Sequence, residues 1–371
     1  MSKMGRVLVA MSGGIDSSVT ALMLHEQGYE VIGITMKTWD YATTPTQKKT
    51  TGCCSLDDIH DARDLAVTLG FPHYILDIRE EFGDHIIDNF VDEYLAGRTP
   101  NPCVMCNTHI KWDALMKRAD QLDCEFIATG HYAQVRPWEE RFVISKGLDH
   151  NKDQSYVLWG LPQDKLRRTI FPVGKFEKKA IRQMAFDAGF KALAAKGESY
   201  EICFIPDNDY RSFLKHKVEG LADRLKDGEF LDTQGKVIGK HDGYPFFTIG
   251  QRKGLGIALG APAFVTAIDP NTNQVTLGTQ EDLMETRMQV RNVNLIKYAA
   301  LKPGHPAHTK IRYKDAGHAS TLFQTGNKME VVFEEPVMAI TPGQSAVFYE
   351  GDDVLGGGFI EGFQSSSQEN V

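Results

Sequence analysis

Apolar positions along the first two hundred residues alternate between short continuous runs and helix-spaced stripes. Val7-Leu8-Val9 is a run apolar on consecutive positions, as a strand buried on both faces requires. A tight glycine segment follows, and then Val19, Leu22, Met23 and Leu24 fall at helical spacing up to Gly28. Glu30 to Met36 reads as a second strand, His73 to Ile78 as a third and Phe126 to Thr129 as another. Helices are expected from Ser55, which forms a capping box with Asp58, to Leu69, then over Glu80 to Leu95 and over Ile110 to Leu122. Gly70 and Pro72 stop the first of these. Such alternation predicts a doubly wound parallel sheet. Lys37 to Gly52 has no period and reads as a mobile loop.

Near residue 205 the texture changes. After a last helix over Tyr210 to His216, turns recur at Asp227-Gly228, Gly235, Asp242-Gly243, Gly254, Gly256 and Pro270-Asn271. Short runs lie between and beyond them: Val265 to Ile268, Gln274 to Leu277, Val290 to Leu295, Thr309 to Tyr313, Met329 to Phe333 and Ala346 to Tyr349. The expected architecture is α/β over 1–205, a small central β-rich domain over 206–285, a β-barrel over 286–363 and a disordered tail over 364–371. No internal repeat is present.

Composition narrows the class. The 371 residues carry 41 Lys and Arg against 49 Asp and Glu, a formal charge of −8, so any RNA contact needs a local basic surface. Lys165, Arg167, Arg168, Lys175, Lys178 and Lys179 form one candidate patch, and His305, His308, Lys310, Arg312, Lys314 and His318 another. No apolar run approaches the roughly 20 residues of a membrane helix, and no signal peptide precedes the first strand. A cytoplasmic protein is expected. Six cysteines (53, 54, 103, 106, 124 and 203) therefore read as buried, metal-binding or catalytic thiols rather than a disulfide framework.

Candidate chemistry sits at two places. AMSGGIDSS (10–18) joins strand to helix through Gly13 and Gly14, which let backbone N–H groups approach an anion at a helix N-terminus. Ser12, Ser17 and Ser18 offer hydroxyls, and Asp16 is placed either to cap the helix or to hold a magnesium ion. The lysine of GxxxxGK[ST] is missing, and so is GxGxxG. TPNPCVMCN (99–107) presents Cys103 and Cys106 just before a helix, where a thiolate is favoured. A CxxC is half of a zinc site, but the other pair, Cys53-Cys54, is adjacent and reads as packing or as a redox pair. Cys203, in SYEICFIPD, reads by itself as a small core residue.

Taken in order, SGGxDS, NPxxxCN, ATGHYA (128–133), KDQSYVL (152–158), ICFIPD (202–207) and FFTIGQRKGLGI (246–257) resemble the tRNA-specific 2-thiouridylase family of the PP-loop (adenine nucleotide α-hydrolase-like) superfamily. The resemblance spans nearly the whole chain. It implies an ATP- and Mg2+-dependent enzyme that adenylates the 2-oxygen of the wobble uridine in tRNAs for Lys, Glu and Gln, then replaces that oxygen with sulfur. ATP would lie against Ala10, Met11, Ser12, Gly13, Gly14, Ile15, Asp16, Ser17, Met36 and Gly130. Cys203 would carry sulfur from a cysteine desulfurase or sulfur-relay protein as a persulfide. Cys106 would be the nucleophile that releases it, leaving a Cys106–Cys203 disulfide. Asn101, Pro102 and Cys103 would border the base, and His131, Lys152, Asp153, Gln154, Arg312, Tyr313 and Gln344 would touch tRNA. Cys103 departs from the family, where many members carry an aspartate of acid–base potential. With Cys106 and Cys203 it would complete three thiolates for an iron–sulfur cluster, an alternative sulfur route. A second alternative is an amide-forming PP-loop ligase, which has no use for the CxxC.

Overall fold

A computed structural model describes residues 4–39, 56–197, 202–205, 208–257 and 260–362. Cys53, Cys54, the capping residue Ser55, the expected loop beyond Trp39 and the tail 364–371 lie outside the described residues. Strands β1 (Arg6–Ala10), β2 (Glu30–Lys37), β3 (His73–Asp77) and β4 (Phe126–Thr129) fall where the apolar runs place them. A hairpin of β5 (Ala133–Trp138) and β6 (Arg141–Lys146) follows, and then the short β7 (Thr169–Ile170). Five strands form one parallel sheet ordered β3-β2-β1-β4-β7. Leu8 of β1 faces a core with Trp112, Leu115 and Ile127, while Val7 and Val9 face another with Ala21, Leu24 and Leu65. That two-sided burial is the reason the run is apolar at every position. Strand order reverses beside β1, so the doubly wound topology opens its crevice at the carboxyl ends of β1 and β4.

Helix α1 (Ile15–Glu26) follows β1, and α2 (Leu56–Leu69) precedes β3. The next helix runs Arg79 to Leu95, with a π-helical turn at Gly83–Ile87. The helix expected from Ile110 begins already at Pro102: an α turn at Pro102–Met105, a π turn at Cys106–Lys111 and a regular stretch at Trp112–Gln121. The two cysteines therefore lie inside the helix rather than ahead of it. Asn101 caps it, its side chain accepting from the Val104 N–H at 3.4 Å, and Pro102 takes the first-turn position where its missing N–H costs nothing.

The central strands β8 (Gly228–Leu231), β9 (Val237–His241), β10 (Phe264–Asp269) and β11 (Gln274–Gly278) form a sheet ordered β10-β11-β8-β9. Phe230, Val265 and Leu277 from this sheet share a core with Phe82, Phe90 and Phe204. The last six strands are β12 (Met284–Leu295), β13 (His305–Lys310), β14 (His318–Thr325), β15 (Lys328–Met338), β16 (Ser345–Glu350) and β17 (Asp353–Gly362). They close into the expected barrel, because β12 pairs with both β15 and β17. Two details differ from the sequence reading. The β5–β6 hairpin, hidden by Pro137 and its charged neighbours, joins the barrel sheet through Ser145 and Asp353. Arg312 and Tyr313 lie in a turn, since Asp315 takes the Ile311 N–H at 3.0 Å and ends β13 before them.

Candidate functional site

The glycine loop leaves β1 at the sheet's crevice and is held from three sides. The Met11 carbonyl accepts from Thr35 Oγ1 at 2.8 Å, and the Ser12 N–H donates to Ser17 Oγ at 3.0 Å. Gly13 has φ +70, and a Cβ there would meet the Asp58 carbonyl oxygen at 2.1 Å, so α2 presses directly on the loop. A Cβ at Gly130, just beyond β4, would stand 2.6 Å from the Ser17 nitrogen. Glycine is needed at both positions, for conformation at the first and for close approach at the second. The N–H groups of Gly13 and Gly14 have no acceptor among the described residues. Beside the orphan donors of a helix N-terminus they make a cradle that fits polyphosphate.

Asp16 does not cap α1; Gly14 occupies the cap position without a side-chain bond. Instead, Lys178 Nζ meets the two Asp16 carboxylate oxygens at 2.6 and 2.7 Å, and Tyr132 OH donates to Oδ1 at 2.7 Å. Lys196 donates to the Gly13 carbonyl at 3.0 Å and to Asp58 and Asp61 at 2.6 Å each, bracing the loop from outside. Sequence reasoning missed Lys196 and Tyr132 and placed Lys178 on a surface patch. No local pattern marks a lysine whose partner lies elsewhere in the chain. Half of that patch is paired: Lys165 with Asp113, Arg168 with Asp120 and Lys178 with Asp16. In the second patch, His305 meets Glu350 at 3.5 Å and His318 meets Asp315 at 3.2 Å.

Hydrogen bonds tie Tyr132 to the 153–157 segment, and tie that segment and Gln344 to the cysteine helix and its lead-in. Tyr132 N–H donates to Gln154 Oε1 at 2.9 Å, and Tyr313 OH donates to the Asp153 carbonyl at 3.0 Å. Burial raises the Tyr313 hydroxyl pKa, and the neighbouring Asp153 and Cys103 raise it further. Gln344 donates to the carbonyls of Thr99 and Pro100 at 3.2 and 3.0 Å, fixing the segment ahead of Asn101. Asn107 donates to the Val157 carbonyl at 3.1 Å and seats the π turn on the 155–158 segment. Such turns recur at functional sites. His131 packs against Trp112 and Phe171, with Nδ1 2.7 Å from Thr129 Oγ1. Burial, aided by Lys111, holds its pKa well below the usual value, so the ring is neutral.

Cys103 is exposed, and Cys106 and Cys203 are half-buried. The last two pack against the same core, as does Met36, although the sequence between them gave no sign of proximity. Burial pushes the Cys124 thiol up to about 11, as for an inert packing residue. Among the described residues no three His, Cys, Asp or Glu side chains converge as metal ligands. Cys103, Cys106 and Cys203 thus do not form a ready ligand set for an iron–sulfur cluster. No helix among the described residues is long and apolar enough to cross a membrane.

Residues 5–207 match the family described as tRNA methyl transferase HUP domain, 211–279 the tRNA methyl transferase PRC-barrel domain and 285–360 the aminomethyltransferase beta-barrel domain. The chain is 64% identical over 362 residues to the tRNA-specific 2-thiouridylase MnmA of Cytophaga hutchinsonii, covering 97% of this chain and 98% of that one. It is 61% identical over 360 residues to the same-named protein of Amoebophilus asiaticus, covering 97% and 96%. For that of Salinibacter ruber the identity is 58% over 364 residues, covering 97% and 95%. With its glycine loop, its cysteine helix and these relatives along its whole length, the chain belongs to the tRNA-specific 2-thiouridylase MnmA family of the PP-loop superfamily.

Proposed function

We propose that the chain is a tRNA-uridine 2-sulfurtransferase that converts the wobble uridine of tRNA to 2-thiouridine with ATP. The observation that carries this reading is similarity to MnmA proteins over 97% of the chain, together with an orphan-donor loop and two cysteines that pack against one core. A urea-type carbonyl oxygen leaves poorly. The 2-oxygen attacks the α-phosphorus of ATP, pyrophosphate departs, and the base then carries AMP as its leaving group. Gly13, Gly14 and the start of α1 hold the polyphosphate, with Ala10, Met36 and Gly130 around the nucleotide. Asp16, engaged by Lys178 and Tyr132, stands beside the phosphates that would hold Mg2+, which would supply charge neutralisation there.

Sulfur arrives on Cys203 as a persulfide from an upstream donor. Cys106 attacks the Cys203 sulfur and forms a Cys106–Cys203 disulfide, and the released sulfide displaces AMP from the base. An external thiol reductant then restores both cysteines. Asn101, Pro102 and Cys103 border the base, while His131, Lys152, Asp153, Gln154, Arg312, Tyr313 and Gln344 face the RNA. Residues 1–205 form the catalytic unit, with β units over 206–285 and 286–363 beside it.

A single-turnover reaction with unmodified tRNA, ATP, Mg2+ and a cysteine desulfurase tests the proposal, with 2-thiouridine read by mass spectrometry beside AMP. Thiouridine at the wobble position, absent with Cys106→Ala, is the expected result. AMP without thiouridine would reopen the substrate and favour an amide-forming ligase.

A further inference from the structure

The apolar residues of the motif FFTIGQRKGLGI, Phe246, Phe247, Ile249, Leu255 and Ile257, belong to the core against which Cys106 and Cys203 pack, while its glycines and cations have no role in the site described above. Its tip, residues 252–257, leaves the central sheet as a largely exposed loop whose root is held to β10 by the Gly250 N–H and Val265 carbonyl at 2.8 Å. None of the backbone N–H groups from Arg252 to Ile257 has an acceptor among the described residues. Gly254 and Gly256 stand at φ +72 and +71. A Cβ at Gly256 would meet nothing within 4 Å, and one at Gly254 only the Arg211 guanidinium at 3.9 Å. These glycines therefore serve the loop's left-handed backbone and leave its amides open to an outside group. Gln251 stiffens the turn, accepting from the Thr248 N–H at 3.1 Å and donating to the Lys253 carbonyl at 3.0 Å. A cavity of about 580 Å3 opens beside Arg252, Leu255, Ile257 and Pro262.

Cations sit on this motif or pack against it. Arg252 and Lys253 are exposed on the loop itself. Arg211 lies over the Phe247 ring at 5.7 Å and Lys215 over Phe246 at 4.8 Å, both from the helix Tyr210–Lys217. None of the four makes an ion pair among the described residues. Asp209 accepts from Ser212 N and Oγ at 3.1 and 2.6 Å, and its carboxylate also faces the Arg211 charge, which helps lower its pKa. Lys165, Arg168 and Lys178 of the first sequence-identified patch are ion-paired, whereas among the described residues Arg252, Lys253, Arg211 and Lys215 make no ion pair. In a chain of net charge −8, it is a local cluster of cations beside backbone amides without an acceptor among the described residues.

We propose that the 252–257 loop, with Arg211 and Lys215, grips the phosphodiester backbone of the substrate tRNA outside the nucleotide being modified. This rests on the reading of tRNA as substrate. The test is equilibrium binding of unmodified tRNA over a range of salt concentrations, for the wild type and for Arg252→Gln/Lys253→Gln. Two lost phosphate contacts lower the slope of log K against log salt by about 1.4 to 1.8. They weaken tRNA binding about tenfold at low salt, with Tm and the KM for ATP unchanged at saturating tRNA. Adding Arg211→Gln lowers the slope again. An unchanged slope and Kd would overturn the proposal. So would normal tRNA binding with impaired sulfur uptake from the donor, which would make the loop a protein-docking surface. A wild type that shows no salt-dependent tRNA binding at all would instead remove the functional reading on which the loop assignment rests.

Discussion

Lys178 Nζ sits between both carboxylate oxygens of Asp16 at 2.6 and 2.7 Å, closing a pair between residues 162 positions apart. It supplies from another helix the positive charge that the glycine loop lacks in its own sequence. Lys178→Met leaves the Asp16 carboxylate uncompensated beside the anion cradle. Removing one partner of a buried pair costs about 3–5 kcal/mol, and Asp16 keeps enough solvent contact to place this pair at the low end or below. The expected outcome is a lower Tm and a raised KM for ATP in tRNA-dependent pyrophosphate release. An unchanged KM would make the pair purely structural.

Asp16→Ala abolishes pyrophosphate release and spares tRNA binding, because the residues proposed to face the RNA lie on other segments. Adenylation at the wild-type rate in this variant would refute the assignment of the loop.

On the proposed sulfur relay, the two cysteines separate the two half-reactions. Cys203→Ser releases pyrophosphate in the presence of tRNA but forms no thiouridine from a persulfide donor. Thiouridine formed by this variant would remove the relay through Cys203.

Gln344 ties the barrel to the segment ahead of the base-bordering residues through two hydrogen bonds to the Thr99 and Pro100 carbonyls. At about 0.5–1.5 kcal/mol each, their loss in Gln344→Ala loosens the Asn101 cap and Cys103. Thiolation slows about tenfold while the KM for ATP is kept. A changed KM with an unchanged rate would contradict this role.

Four imidazoles among the described residues set a pH dependence. Burial lowers the pKa of His131, His73, His109 and His241, so the folded chain refuses protons that the unfolded chain accepts near 6.5. Stability from this source is complete above about pH 6.5 and is lost as pH falls from there toward the folded values. Each group contributes a slope of at most about 1.4 kcal/mol per pH unit. Tm therefore declines on acidification from neutral pH, and His241→Gln makes the decline shallower. A flat Tm between neutral and mildly acidic pH would show that these rings titrate normally.

The sequence by itself determined what depends on neighbours along the chain. A strand buried on both faces must be apolar throughout, as Val7-Leu8-Val9 is, and a left-handed turn against another backbone must be glycine, as Gly13 is. The parallel alternation and the change to short strands followed from the same local rules, and the ordered motifs named the family. The helix start at Pro102 was also written locally, in the Asn-Pro cap, but thiols and small polar residues hid it from a search for apolar stripes. Tertiary structure alone decided the rest. Charge pairs and sheet edges are satisfied by whatever the fold brings near, whether Lys178 for Asp16, Asp353 for the β5–β6 hairpin, or one shared core for Cys106 and Cys203. A lysine in a surface patch and a lysine buried against a carboxylate read alike in one dimension. Only the folded chain separates them, because burial and partner are properties of position in space.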